Sequence, residues 1–138
     1  MSSSYFSNDT IAAISTSLAG DGGVGIIRLS GINALSCSQE IVSGLENPTP
    51  RYLHRIEILD NTFSENKNEK EIIDDGLGVY FPSGHSFTGE EVVEIQVHGG
   101  RFLLQRILNL LISSGKCRLA QPGEFTFRAV KNGKLSLS

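Results

Sequence analysis

Long apolar runs, paired cysteines and a nucleotide-binding P-loop are all missing from this 138-residue chain, and each absence excludes something. No apolar stretch approaches the ~18 residues that cross a bilayer, so no membrane segment is expected. The opening MSSSYFSNDT has neither the apolar core of a secretion signal nor the arginines of a transit peptide, and a cytoplasmic protein is the simplest expectation. Cys37 and Cys117 stand far apart without C-x-x-C spacing, and read as small apolar core residues rather than a disulfide or a nucleophile. His54, His85 and His98 are scattered and lack the paired spacing that zinc requires. Without a G-x-x-x-x-G-K-[ST] motif the chain cannot itself be a P-loop nucleotide hydrolase. No serine or cysteine has a neighbouring histidine motif that would activate it.

What is present describes an ordinary globular domain. Its 138 residues are enough for one proper core and short for two, and 39% hydrophobic with 20% charged residues is ordinary for a soluble globular protein. The net charge of −3 conceals a split. Residues 57–94 carry ten acids against Lys67 and Lys70, whereas residues 101–138 carry seven bases against Glu124. The basic third suits either an anionic partner or a solvated helix face.

Gly20, Gly22 and Gly25 spell G-x-G-x-x-G, a spacing that dinucleotide-binding folds use to approach a pyrophosphate. In that setting a helix opens at the third glycine, so that phosphate meets its N-terminus. Here VGIIRL follows, β-branched and extended, which points to glycines that allow a tight connection between two strands or the close approach of a ligand.

Periodicity predicts strands at 10–15, 24–29, 51–60, 72–81 and 91–98, and a short one at 117–120. Helices are predicted over 32–45, after Gly99-Gly100, and from Glu124 to the break at Asn132-Gly133. The second helix is expected to bury Phe102, Leu103, Ile107, Leu110 and Leu111. The polar segment 61–71 reads as a loop or hairpin tip. The order β-β-α-β-β-β-α-β-α gives an α+β fold, a mixed sheet with helices.

Two charged residues stand out against their strands. Alternation in VGIIRL puts Ile26 and Arg28 on one face and Ile27 and Leu29 on the other. In EVVEIQVH it puts Val93, Ile95 and Val97 opposite Glu94, Gln96 and His98. If the second face is covered, Glu94 needs a partner, and a guanidine-like edge with two N–H donors would suit it. Arg28 raises the same question with opposite charge; the two either pair with each other or converge on one ligand. His98, ending its strand before a glycine pair, reads first as a structural hydrogen-bonding residue.

Three motifs then align with a known family. DTIAAIST…GDGGVGIIRLSG, GHSFTGEEVVEIQVHGG and RLAQPGEFTFRAVKNGKLSL resemble, in this order, the N-terminal domain of the MnmE (TrmE) tRNA-modification GTPases. The resemblance covers nearly the whole chain outside 61–71. It implies the tetrahydrofolate-binding fold of the glycine-cleavage aminomethyltransferase. A folate-binding and dimerisation domain would span 1–120, with 121–138 starting the connection to a helical domain that carries an inserted G domain. The family acts with the flavoprotein MnmG on carbon 5 of the tRNA wobble uridine, installing a carboxymethylaminomethyl or aminomethyl group.

The implied ligand is a tetrahydrofolate derivative, 5-formyl- or 5,10-methylene-tetrahydrofolate, with GTP, Mg2+ and K+ belonging to the parent protein. Carried over by motif, Arg28, Glu94 and Lys134 would touch the folate: Glu94 on the pterin N–H edge, Lys134 on its polar or anionic parts. Ser136 stands where the family usually has aspartate, and Gln121 where arginine is common before Pro-Gly. On this reading the 138 residues alone form a homodimer but neither hydrolyse GTP nor modify tRNA. A stand-alone folate-dependent one-carbon transferase, or a dimerisation module without ligand, are the alternatives.

Overall fold

The computed structural model describes residues 8–15, 24–60 and 70–135. Gly20 and Gly22, Ser136 and most of the polar segment 61–71 lie outside them. Among the described residues the chain forms seven strands and three helices: β1 (Ile11–Ile14), β2 (Val24–Ser30), α1 (Ala34–Gln39), β3 (Val42–Ser43), β4 (His54–Asp60), β5 (Glu71–Phe81), β6 (Val92–His98), α2 (Arg101–Ser113), β7 (Arg118–Leu119) and α3 (Glu124–Lys131). All seven strands join one sheet in the order β3-β4-β5-β6-β2-β1-β7. Every pairing is antiparallel except the edge pair β1–β7. The architecture is α+β with a mixed sheet, as the residue pattern predicts. Among the described residues no helix is long and apolar enough to cross a membrane.

The core lies on one side of the sheet. Ile27 and Leu29 of β2 and Val93, Ile95 and Val97 of β6 pack there against Leu104, Ile107, Leu108 and Leu111 of α2 and against Ala34 and Cys37 of α1. The alternation read from VGIIRL and EVVEIQVH therefore holds residue by residue. Gly25 belongs to this packing: a Cβ on it would stand 2.6 Å from Leu104 Cδ2, so the third glycine of the G-x-G-x-x-G spacing lets α2 approach β2.

Two elements differ from expectation. The helix predicted over 32–45 stops at Gln39, and Val42–Ser43 instead pairs with Ile58 and Glu57 of β4. Ile41 and Val42 are β-branched, and Gly44 (φ 108°) brings the backbone within 2.3 Å of Arg55 O measured from a would-be Cβ, a contact that only glycine permits. Ile41 and Leu45 still reach the core, but from an extended segment. In α2 the buried stripe is Leu104, Ile107, Leu108 and Leu111: Ile107 and Leu111 are buried as predicted, Leu103 and Leu110 are only partly buried against the core, and Leu104 and Leu108 take the remaining places. Phe102 is 95% exposed. LLQRILNLL is apolar on more than one side, so two adjacent stripes satisfy the same period, and packing against Gly25 selects one.

Candidate functional site

The register of β2 against β6 sets Arg28 directly across from Glu94 on the face turned away from α1 and α2. Directly opposed residues of an antiparallel pair hold their Cβ atoms close enough for side chains to meet. Arg28 Nε and Nη2 both donate to Glu94 Oε2, at 3.1 and 2.9 Å. The two side chains are 26% and 20% exposed, so the pair is half-screened rather than surface-bound. Arg28 and Glu94 thus pair with each other across the two strands. Both donors share one carboxylate oxygen, which leaves Glu94 Oε1 and Arg28 Nη1 without a hydrogen-bond partner among the described residues.

Phe87 completes the immediate surroundings. Its ring centroid lies 5.7 Å from Arg28 Cζ, within cation–π range, and the side chain stays 44% exposed. Phe87 sits in the turn-rich segment 82–91, which reads in the sequence only as a turn between two strands. A lone aromatic among Ser, Gly and Thr next to the Glu94 strand was the available signal. Lys134 does not reach the pair; its Nζ donates to Gly84 O at 2.7 Å, at the other end of the same segment.

That segment is held from below by α3. Arg128, 1% exposed, donates to Glu90 Oε1 at 2.9 Å and to Asp9 O at 2.6 Å. Glu90 Oε1 also accepts from Ser30 Oγ, which lies 2.7 Å from Thr88 Oγ1, and Asn132 Nδ2 donates to Thr88 O. Glu124, fully buried, accepts from Arg118 Nη1 and Nη2 at 3.0 and 2.6 Å, from Arg128 Nη2, and from the Gln121 N–H. Burial pushes the Glu124 carboxyl up, but the Arg118 hydrogen bonds, the Gln121 amide and the two guanidinium charges outweigh it and hold it below its ordinary value. Arg118 is raised in turn, chiefly by hydrogen bonding to Glu124 and Asp9.

These pairs also account for much of the basic C-terminal third. Arg106 meets Asp60, Lys116 meets Glu40, and Arg118 and Arg128 meet Asp9, Glu90 and Glu124. Four of the seven bases are thus paired with carboxylates inside the fold. His98 ends β6 with its backbone N–H on Asp74 Oδ2 and its ring near Asp74 and Asp75, a grouping the scattered histidines did not suggest. The ring is 76% exposed, and the backbone bond marks it as a strand-end anchor.

The class defined by this arrangement is an α+β domain whose sheet packs helices on one face and presents a cross-strand arginine–glutamate pair on the other. Residues 10–134 match the family described as the N-terminus of the GTP-binding protein TrmE, and the chain belongs to that family. Curated relatives agree. The chain is 47% identical over 132 residues to a tRNA modification GTPase MnmE of Nitrosomonas europaea, covering 96% of this chain and 27% of that protein. It is 48% identical to the protein of the same name from Saccharophagus degradans (95% and 26% covered) and 43% identical to that from Hydrogenovibrio crunogenus (97% and 27% covered). The chain therefore spans about a quarter of the length of these relatives.

Proposed function

We propose that this chain is a reduced-folate-binding, dimer-forming domain of a GTPase that modifies tRNA. The observation that carries the reading is the Arg28–Glu94 pair beside an exposed aromatic ring, with one oxygen and one guanidinium nitrogen that have no partner among the described residues. A pterin offers a flat heterocycle with N–H donors on one edge and ring acceptors beside them, which fits an open carboxylate oxygen next to an open N–H. Glu94 Oε1 accepts from the pterin edge, Arg28 Nη1 donates to a ring acceptor, and Phe87 supplies an apolar wall. A two-pronged grip by Glu94 alone requires Oε2 to be shared with Arg28. Lys134 keeps two further N–H donors after bonding Gly84 O, suited to the anionic tail of the ligand.

The bound tetrahydrofolate, in its 5-formyl or 5,10-methylene form, supplies the one-carbon unit. The residues of this chain bind and orient it. The sheet fold corresponds on this reading to that of the glycine-cleavage aminomethyltransferase. A second copy covers the open sheet face, where Val24 stands 54% exposed in line with Ile26 and Arg28. GTP, Mg2+ and K+ fall to other parts of the parent protein, which works with the flavoprotein MnmG on the wobble uridine of tRNA in the cytoplasm.

Calorimetric titration of the chain with 5-formyltetrahydrofolate tests the proposal. Saturable binding is expected, weakened about 10–100-fold in Glu94→Ala through loss of charge-assisted hydrogen bonds. Equal affinity in the folded variant, or no binding by the folded chain, would refute it.

A further inference from the structure

On the helix side of the sheet, away from Arg28 and Glu94, two sulfurs meet. Cys37 of α1 and Cys117, just before β7, are free thiols whose Sγ atoms lie 3.4 Å apart across 80 residues of sequence. Both are buried, and both sulfurs lie 3.5 Å from Leu111 O. Ser114 Oγ stands 3.5 Å from Cys37 Sγ. At this separation a thiol hydrogen can lie between the two sulfurs, so that removing one proton leaves a thiolate hydrogen-bonded by its neighbour.

We propose that Cys37 and Cys117 form a dithiol site that a peroxide-class two-electron oxidant converts reversibly to an intramolecular disulfide. The surroundings favour thiolate at one sulfur in particular. Hydrogen bonding from Cys117 outweighs burial and, with help from Ser114 and the Lys116 ammonium, lowers Cys37 to about 7, while Cys117 is raised. Cys37 itself is fully buried, so a small oxidant has to reach it past Cys117, which is 9% exposed and follows the solvent-facing Gly115-Lys116 turn.

The chemistry balances without any other reagent. The Cys37 thiolate attacks one oxygen of hydrogen peroxide: an S–O bond forms, the O–O bond breaks, and hydroxide leaves and takes up the proton that Cys37 gave to solvent. Cys117 Sγ then attacks the Cys37 sulfenic sulfur, the S–S bond forms, the S–O bond breaks, and water departs with the Cys117 proton. Two thiols are oxidised by two electrons, and one peroxide becomes two waters. Closing the bond needs the sulfurs to approach by about 1.4 Å, toward an S–S length of about 2.05 Å. The two-residue β7 and the Ser114–Lys116 turn are the movable side of the pair.

The test uses the 138-residue chain with stoichiometric hydrogen peroxide, then alkylation under denaturing conditions and peptide mapping by mass spectrometry. The expected result is a Cys37–Cys117 cross-linked peptide, a mass lower by two hydrogens and full recovery of both thiols with dithiothreitol. The thermal midpoint of the oxidised chain should rise by about 5–15 °C, because the link closes a long loop in the unfolded state. Cys37→Ser and Cys117→Ser each must abolish the cross-link, and circular dichroism verifies that each is folded. Two thiols that remain alkylatable, a sulfinic Cys37 without cross-link, or a disulfide only between separate chains would each overturn the proposal.

Discussion

Replacing Glu124 by glutamine probes the buried charge cluster that fastens α3 to the sheet. Glutamine keeps the shape and one acceptor oxygen, but it turns an NH2 toward guanidinium donors that now find no acceptor. Glu124 is fully buried and receives two hydrogen bonds from Arg118, one from Arg128 and one from the Gln121 amide. Breaking a buried ion pair by removing one partner costs about 3–5 kcal/mol, because the other charge remains buried. Arg128 retains Glu90 and Asp9, and Arg118 retains Asp9, which places the loss near 3 kcal/mol. At roughly 2.1 cal/mol/K of unfolding entropy per residue, a 138-residue chain then melts about 10 °C lower.

The pH dependence follows from the sign of the shift. Glu124 is held below its ordinary value of 4.5 in the folded state, so its contribution is complete above that value and lost as pH falls through the lower, folded one. Glutamine cannot titrate. Urea unfolding of both proteins should therefore show the full gap at about pH 7 and a narrowing gap below about pH 4. A gap under about 1 kcal/mol at neutral pH, or one that stays constant on acidification, would refute the argument.

Gly31 has φ 136° and a would-be Cβ only 2.6 Å from Thr10 Cα, so Gly31→Ala should cost about 2–4 kcal/mol in urea unfolding. An alanine variant of unchanged midpoint would show that this turn relaxes freely. Glu94→Ala, by contrast, removes one partner of a half-exposed pair and should change stability by no more than about 1 kcal/mol while lowering folate affinity. A large stability loss there would make the pair a structural clamp.

Strand faces were legible because period two is unambiguous: Arg28 and Glu94 could be placed on a common face before any pairing was known. That they are opposite each other depends on the β2–β6 register, which spans 66 residues and is set by core packing. Helix boundaries were less legible. Ile41 and Leu45 fit a helical period, yet the fit of Gly44 against Arg55 draws the chain into the sheet. The stripe of α2 was ambiguous within its own sequence and was decided by a glycine on another element. Phe87 escaped notice because exposure beside a cation is a tertiary property. The contact between Cys37 and Cys117 escaped for the same reason, since spacing says nothing about two thiols that α1 and the α2–β7 turn bring together.

The central claim is that the Arg28–Glu94 pair receives a reduced folate, and a crystal of the chain soaked with 5-formyltetrahydrofolate tests it most directly. The account predicts density for the pterin against Glu94 Oε1 and Arg28, beside the Phe87 ring, with Lys134 toward the tail. Ligand bound elsewhere, with the Arg28–Glu94 pair left as it stands, would contradict it.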